Sequence, residues 1–284
     1  MTPERKPSAT LRATDPRRIG PYTIMSCLGS GGEGRVYFGS SARTGPVAIK
    51  VIRPRTDDRD PTCHTEFDHI RRVDAQRVAP AIAHGVFETT PYLVTAYLHG
   101  TSARSLPAGR MDDAQLWLVA AGAARAIAAV HAAGLIHCDV KPANVMVSAT
   151  YVRLIDFGIA RDVHDQPVQA PRVYCSRDWA APEQLRAQPL TQAVDVFGWG
   201  ALIAYLASGE PPFAAETERE WMTRVRSTEP DLDGLPSGLD PLVRAALDRE
   251  PSRRPAAGDL AEACRRWDAG RMRSGPNSRP MVRG

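Results

Sequence analysis

Apolar positions along the chain change their period several times, and each change marks an element. Residues 1–18 are polar and rich in Pro, Arg and Thr, without apolar periodicity. A short β-like run follows from Tyr22 to Leu28, and Arg35-Val36-Tyr37-Phe38-Gly39 alternates as a second strand would. Val47-Ala48-Ile49-Lys50 reads as a third strand. In Thr65 to Val73, Ile70 and Val73 follow Glu66 by four and seven places, so all three share one side of a predicted helix. Ala83 to Phe87 and Tyr92 to Leu98 read as strands ending at His99-Gly100. Asp113 to Ala133 is the plainest helix, with apolar residues at 116, 119, 120, 123, 127 and 130 and Gly134 as its stop. Val152, Leu154 and Ile155 mark one more strand. The uncharged run from Val196 to Gly209 falls short of the roughly 20 residues of a membrane span and predicts a buried helix. Strands thus dominate the first third and helices the rest.

Composition adds few constraints. The 284 residues are 43% hydrophobic and 24% charged, enough for a sizeable core. The formal charge of +4 belongs to the ends: residues 1–18 carry a net +3 and residues 271–284 a net +4, leaving −3 for the middle. Both ends are expected to be flexible basic arms, 1–18 and 269–284, around a folded unit of residues 19–268. A partner or an anionic surface could use the arms, but the folded part shows no compositional sign of a nucleic-acid surface. Cys27, Cys63, Cys138, Cys175 and Cys264 have neither Cys-x-x-Cys spacing nor a repeated framework, which predicts reduced thiols in a cytoplasm. The polar start offers no secretory signal.

The candidate chemistry sits in short clusters. Leu28-Gly29-Ser30-Gly31-Gly32-Glu33-Gly34-Arg35-Val36 contains a Gly-x-Gly-x-x-Gly pattern. A dinucleotide-binding loop would open a helix there, whereas the strand pattern after it predicts a hairpin laid over phosphates. Glycines suit that lid because backbone amides without a Cβ can approach phosphate oxygens. His137-Cys138-Asp139-Val140-Lys141-Pro142-Ala143-Asn144 precedes Asp156-Phe157-Gly158 by twelve residues. Taken singly, Asp139 reads as a turn acid, Asn144 as a helix cap and Lys50 as a solvated strand end.

In this order the clusters resemble those of protein kinases, over about residues 19–268. The composition is similar to that of bacterial serine/threonine kinases of the eukaryotic-like type. The resemblance implies an α+β, two-lobed fold, with a small β-rich lobe over about 19–98 and a larger helical lobe over about 99–268. It implies ATP with Mg²⁺, Mn²⁺ being a possible substitute, and a protein substrate bearing a Ser or Thr acceptor. Asp139 would orient the hydroxyl and accept its proton, Lys141 would neutralise the γ-phosphate, and Asn144 and Asp156 would hold the metal. Lys50 would bind the α- and β-phosphates, with Glu66 rather than Asp68 as its partner. Val36 and Ala48 would enclose the adenine, Met146 would lie beneath it and Thr95 would gate its back. The backbone of Ala96 and Leu98 would bond its edge. Lys141, two places after Asp139, points to serine/threonine rather than tyrosine specificity. Ala181-Pro182-Glu183 and Glu250 to Pro255 match late kinase motifs, and Arg254 is expected to pair with Glu183.

Two other classes compete. A small-molecule phosphotransferase shares His-x-Asp followed by Asn, but Lys141 and Ala181-Pro182-Glu183 argue against it. A nucleotide-binding pseudokinase scaffold would be favoured by loss of Lys50, Asp139, Asn144 or Asp156, and all four stand. The chain departs from the family at Ala96, where Glu is frequent, and at Cys138, where most members carry Arg. Between Gly158 and Ala181 the only hydroxyls are Tyr174 and Ser176. Without the Arg that meets a loop phosphate, activity is expected not to be switched by phosphorylation there, unless Arg161 or Arg172 replaces it. Ser176 is expected to contact the catalytic Asp and Lys.

Overall fold

The computed structural model describes residues 10–32, 34–53, 63–164, 176–186 and 188–273. The first lobe is an antiparallel sheet of β1 (Arg18–Ile19), β2 (Tyr22–Gly31), β3 (Gly34–Ser41), β4 (Gly45–Ile52), β5 (Ala81–Phe87) and β6 (Thr90–Ala96), in the order β1-β2-β3-β4-β6-β5. One helix, α1 (Cys63–Arg72), packs against it. Alternation along β4 sends Val47 and Ile49 into a core with Tyr22, Ile24, Tyr37 and Val94, and turns Ala48 and Lys50 to the opposite face.

The second lobe contains short strands β7 (Thr101–Ser102), β8 (Leu135–Ile136), β9 (Val145–Val147), β10 (Val152–Leu154) and β11 (Arg161–Asp162) among helices α2 (Asp113–Ala132), α3 (Pro182–Leu185), α4 (Ala193–Ser208), α5 (Glu218–Ser227), α6 (Asp240–Ala246) and α7 (Ala257–Arg273). Asp112 caps α2 in a reciprocal box with Gln115, and Gly134, at φ +72°, turns the chain just beyond its end. By length and composition alone α2 could cross a membrane, yet most of its apolar residues, Leu116, Ala123 and Ile127 among them, are buried in this lobe's core, with Leu118 exposed. The apolar run at 196–209 forms most of α4. That helix is apolar all round, as a helix enclosed on every side should be, and the indole of Trp199 donates to the Ala120 carbonyl at 2.9 Å, tying it to α2. Its Gly198 lies against residue 140: a Cβ there would stand 2.7 Å from the Val140 carbonyl oxygen. The core of the large lobe thus presses directly on the His137–Asn144 segment.

The ends differ from expectation. The arm expected over residues 1–18 is tied to the small lobe at points: Leu11 lies on its core, Asp15 is buried and β1 pairs with β2, while residues 12–14 are exposed. A buried carboxylate with polar partners holds this segment, and no apolar periodicity reveals such an anchor. At the other end α7 continues to Arg273, beyond the expected limit at 268. Residues 1–9 and 274–284 lie outside the described residues, as do Glu33, Arg172, Tyr174 and Cys175.

Candidate active site

The glycine cluster is the hairpin of β2 and β3, with Gly31 opposite Gly34, Ser30 opposite Arg35 and Gly29 opposite Val36. Gly34 adopts φ +144°, and a Cβ there would stand 2.0 Å from the Val51 carbonyl oxygen, so the turn itself demands glycine. Gly29, Gly31 and Gly32 are different: a Cβ on any of them would meet nothing within 4 Å. No protein contact requires glycine at those three positions. A ligand brought close to the backbone would, which fits a phosphate cradle.

Across the ladder Val36 faces Lys50 and Ala48 faces Thr95. Cross-strand partners share a face of the sheet, so these residues and Lys50 border one cleft. Met146 lies on β9 opposite Ser102 and Arg153. At the cleft's rear edge the Ala96 amide donates to the Pro80 carbonyl at 2.9 Å, leaving the Ala96 carbonyl as the group able to meet a ligand. Leu98 is buried, and among the described residues its backbone amide and carbonyl have no hydrogen-bond partner. A flat heterocycle with a donor and an acceptor on one edge fits that gap. Arg35 is the exception in the hairpin, because its side chain turns away from the cleft to Asp15.

Lys50 is the centre of the polar cluster. Its Nζ lies 3.3 Å from each Glu66 oxygen and 2.5 Å from Asp156 Oδ1. Glu66 is buried, and its Oε1 also accepts the Phe157 amide at 3.2 Å. Its helix is fastened at the far end, where Arg72 donates to Asp162 Oδ2 and to the Ala133 carbonyl, both at 2.7 Å. Asp156 adopts φ +67°, while Phe157 is buried against the His137 ring. Burial raises the Asp156 pKa, but the charge and hydrogen bond of Lys50 outweigh it and hold the carboxyl below its ordinary value, with His137 and Lys141 helping.

Opposite stands the His137–Asn144 loop. Asp139 Oδ1 accepts the Ser176 hydroxyl at 2.8 Å, and its Oδ2 accepts Asn144 Nδ2 at 2.9 Å and pairs with Lys141 Nζ at 2.6 Å. Lys141 also donates to Ser176 Oγ at 2.7 Å, so the contacts expected of Ser176 are present. Asn144 Nδ2 bonds the Asp139 carbonyl as well, which leaves its amide oxygen as the free pole. No group of three His, Cys, Asp or Glu able to hold a metal ion occurs among the described residues. The Asn144 oxygen and the Asp156 carboxylate are hard donors, suited to an ion whose other ligands are phosphate oxygens and water.

The residue that shapes this loop was not singled out from the sequence. Asp195, at the start of α4, is 1% exposed; its Oδ2 accepts the His137 amide and its Oδ1 the Cys138 amide, both at 2.8 Å. His131 Nε2 lies 2.9 Å from Oδ2. These bonds hold Cys138 at φ +66°, a left-handed backbone that costs a non-glycine residue about 1–3 kcal/mol. A lone acid entering an apolar helix was the available signal. Gln184 supports the loop from the other side, its Nε2 donating to the Cys138 carbonyl at 3.0 Å. Arg254 meets Glu183 through two parallel bonds of 2.6 and 2.9 Å, as expected.

In comparison with known proteins, the family model described as a protein kinase domain matches residues 22–264. The chain is 35% identical over 256 residues, 88% of its length, to the probable serine/threonine-protein kinase PkwA of Thermomonospora curvata, covering 34% of that protein. Similarity to the serine/threonine-protein kinase AfsK of Streptomyces coelicolor is also 35% over 256 residues, 87% of this chain and 32% of that one. The serine/threonine-protein kinase PknB of Mycobacterium leprae is 32% identical over 264 residues, 85% of this chain and 42% of PknB. The chain therefore spans between about a third and two fifths of the length of these relatives.

Proposed function

The chain belongs to the protein kinase family, and from that premise we propose that it transfers the γ-phosphate of ATP to serine or threonine hydroxyls of a protein substrate. The observation that carries this reading is the meeting of two clusters across one cleft: Lys50 with Glu66 and Asp156, and Asp139 with Lys141, Asn144 and Ser176. Lys141 on Asp139 and Ser176, and Glu183 of Ala181-Pro182-Glu183 paired with Arg254, argue against small-molecule transfer, and the intact Lys50, Asp139, Asn144 and Asp156 argue against a pseudokinase scaffold.

In the proposed reaction the substrate hydroxyl lies beside the Asp139 carboxylate, which Ser176, Asn144 and Lys141 hold in place. Its oxygen attacks the γ-phosphorus while its proton passes to Asp139, and the bond from that phosphorus to the bridging oxygen breaks to leave ADP. Lys141 neutralises charge on the moving group, and Lys50, fixed by Glu66, holds the α- and β-phosphates. The backbone amides at Gly29, Ser30, Gly31, Gly32 and Gly34 cover the phosphates, while Leu28, Val36, Ala48, Thr95 and Met146 surround the base and Ala96 and Leu98 bond its edge. A divalent ion, which we infer to be Mg²⁺ with Mn²⁺ as a substitute, would be held by Asn144 and Asp156 and supplies further neutralisation when bound. Buried unpaired thiols at Cys27, Cys63, Cys138 and Cys264 support a reducing, cytoplasmic setting.

Transfer of labelled phosphate from ATP to a generic basic protein tests the reading. We expect incorporation into serine and threonine by the unaltered chain and none by Asp139→Asn; equal incorporation by both proteins overturns it.

Cys138 supports a second element of the proposal, that phosphorylation of the segment after Gly158 does not switch activity. The thiol is buried with Ile136, Val194, Ile159 and Leu190, an apolar setting where a phosphate would find no cation at position 138. Burial and the Asp195 charge push its pKa far up, so it stays a neutral thiol. Arg161 is the described cation near it. Phosphatase treatment, checked by mass spectrometry over residues 159–180, should leave the rate unchanged. A fall of about tenfold that Tyr174→Phe reproduces refutes this element.

A further inference from the structure

Asp15 is a buried carboxylate that none of the chemistry above uses. It is 4% exposed and sits in the segment that precedes β1. Its Oδ2 accepts the Arg12 amide at 2.8 Å while its own amide donates to the Arg12 carbonyl at 3.1 Å, closing a tight turn. Its Oδ1 accepts the Tyr37 hydroxyl at 3.0 Å and pairs with Arg35 Nη1. Burial works against the ionised form, but the Arg12 amide, the Tyr37 hydroxyl and the Arg35 charge together hold the carboxyl below its usual value. Burial and the bond to Asp15 push the Tyr37 phenol up to about 12. The pair is thus an anion and a neutral donor near neutral pH.

The place of these contacts gives them a consequence. Side chains alternate along a strand, so Arg35 and Tyr37 lie on one face of β3 and Val36, between them, on the other. Val36 is opposite Lys50, which reaches Asp156, so the Val36 face is the cleft face and Asp15 holds the outer one. Arg35 follows Gly34 directly, at the root of a turn where a Cβ on Gly29, Gly31 or Gly32 would meet no protein atom within 4 Å, so no side-chain packing there fixes the tip. We infer that Asp15 is a positioning residue for the nucleotide: through Arg35 and Tyr37 it fixes the root of the glycine hairpin, so that the amides at its tip meet the phosphates already ordered. This rests on the kinase reading of the cleft. Without the anchor the hairpin must be ordered by the ligand, and that cost reduces affinity for ATP.

The test uses the full chain with Asp15→Asn, Tyr37→Phe, Arg35→Gln and the Asp15→Asn/Arg35→Gln double variant. Asparagine keeps the shape and an acceptor but removes the charge. Fluorescent-ATP binding, kcat, the KM for ATP and thermal stability are measured on each. A hairpin that grips phosphates equally in ground and transition states predicts a rise in Kd and KM of about threefold or more with kcat nearly unchanged. The double variant should be no worse than the poorer single one, because both remove the same contact. A merely structural Asp15 would lower Tm and kcat, through loss of folded enzyme, at constant KM. Unchanged nucleotide Kd in Asp15→Asn, or additive effects in the double variant, overturns the inference. Should Asp15→Asn fail to fold, Arg35→Gln, at the partly exposed end of the pair, carries the same comparison. Absence of phosphate transfer by the unaltered chain counts against the kinase reading alone, because nucleotide affinity is read separately.

Discussion

Replacing Glu183 with Ala leaves a guanidinium stranded in the core of the large lobe. The Arg254 side chain is 0% exposed and that of Glu183 is 3% exposed, and two parallel bonds of 2.6 and 2.9 Å join them. Arg254 would keep its bonds to the Asp248 carbonyl at 2.7 Å and the Ala193 carbonyl at 3.0 Å, and its place 5.0 Å from the centre of the Phe197 ring. It would lose both charge-assisted bonds and its only carboxylate partner among the described residues. Breaking such a buried pair from one side costs about 3–5 kcal/mol, which in a domain of this size lowers Tm by roughly 6–20 °C. Glu183→Gln should fall between, since it keeps an acceptor but sets an amide N–H against an Arg N–H. The decisive comparison is Glu183→Leu with Arg254→Met. If the penalty in the single variants is the unpaired charge, the double apolar variant should be more stable than either Glu183→Leu or Arg254→Met alone. Urea unfolding of the four proteins measures this directly. A Glu183→Ala protein within about 1 kcal/mol of the unaltered one, or a double variant less stable than both singles, refutes the reasoning.

Three further outcomes are expected. Lys50→Met should abolish phosphate transfer, and a folded variant with near-normal turnover would remove Lys50 from the phosphates. Ser176→Ala deletes a hydroxyl shared by Asp139 and Lys141; hydrogen bonds to charged groups at about 1.5–3 kcal/mol each predict a kcat roughly ten- to a hundredfold lower, and a change below twofold would contradict it. Asp15, with its pKa held below the unfolded value, stabilises the fold at pH above the ordinary carboxylate range, and that contribution disappears as pH falls through the lowered folded value. The Tm gap between the unaltered chain and Asp15→Asn should therefore shrink between about pH 6 and about pH 3; a gap that widens on acidification contradicts the assignment.

The cleft residues were legible through the order of their motifs, which resembles that of protein kinases, and not from single residues, each of which had an ordinary structural reading. Lys50, Asp139, Asn144 and Asp156 all lie in the two polar clusters that those motifs outline. The resemblance implied an acidic partner for Lys50, and helical spacing chose Glu66 over Asp68: Glu66 and Ile70 are buried on α1 while Asp68 is exposed. Ser176 was legible from its distance to Ala181-Pro182-Glu183. Asp15 and Asp195 were not, and for one reason. Each is a single acid whose partners are backbone amides, or side chains distant in sequence, and such bonds impose no periodicity. The same holds for the first arm: Asp15, Leu11 and a two-residue strand tie it down at isolated points, and its composition remains that of a solvated segment.

Asp195 bears on how freely the chain can vary. It grips the catalytic loop by the amides of His137 and Cys138, groups every residue except proline possesses, and Gln184 takes the Cys138 carbonyl. The path of the backbone into Asp139 is therefore specified without reference to the side chain at 138. A substitution at 138 that keeps the main-chain bonds, Cys138→Arg for example, should leave the backbone at Asp139 in place. The left-handed turn at 138 is held from beneath by a carboxylate that bonds only main-chain groups of this loop, so its shape does not depend on a side-chain bond at that position.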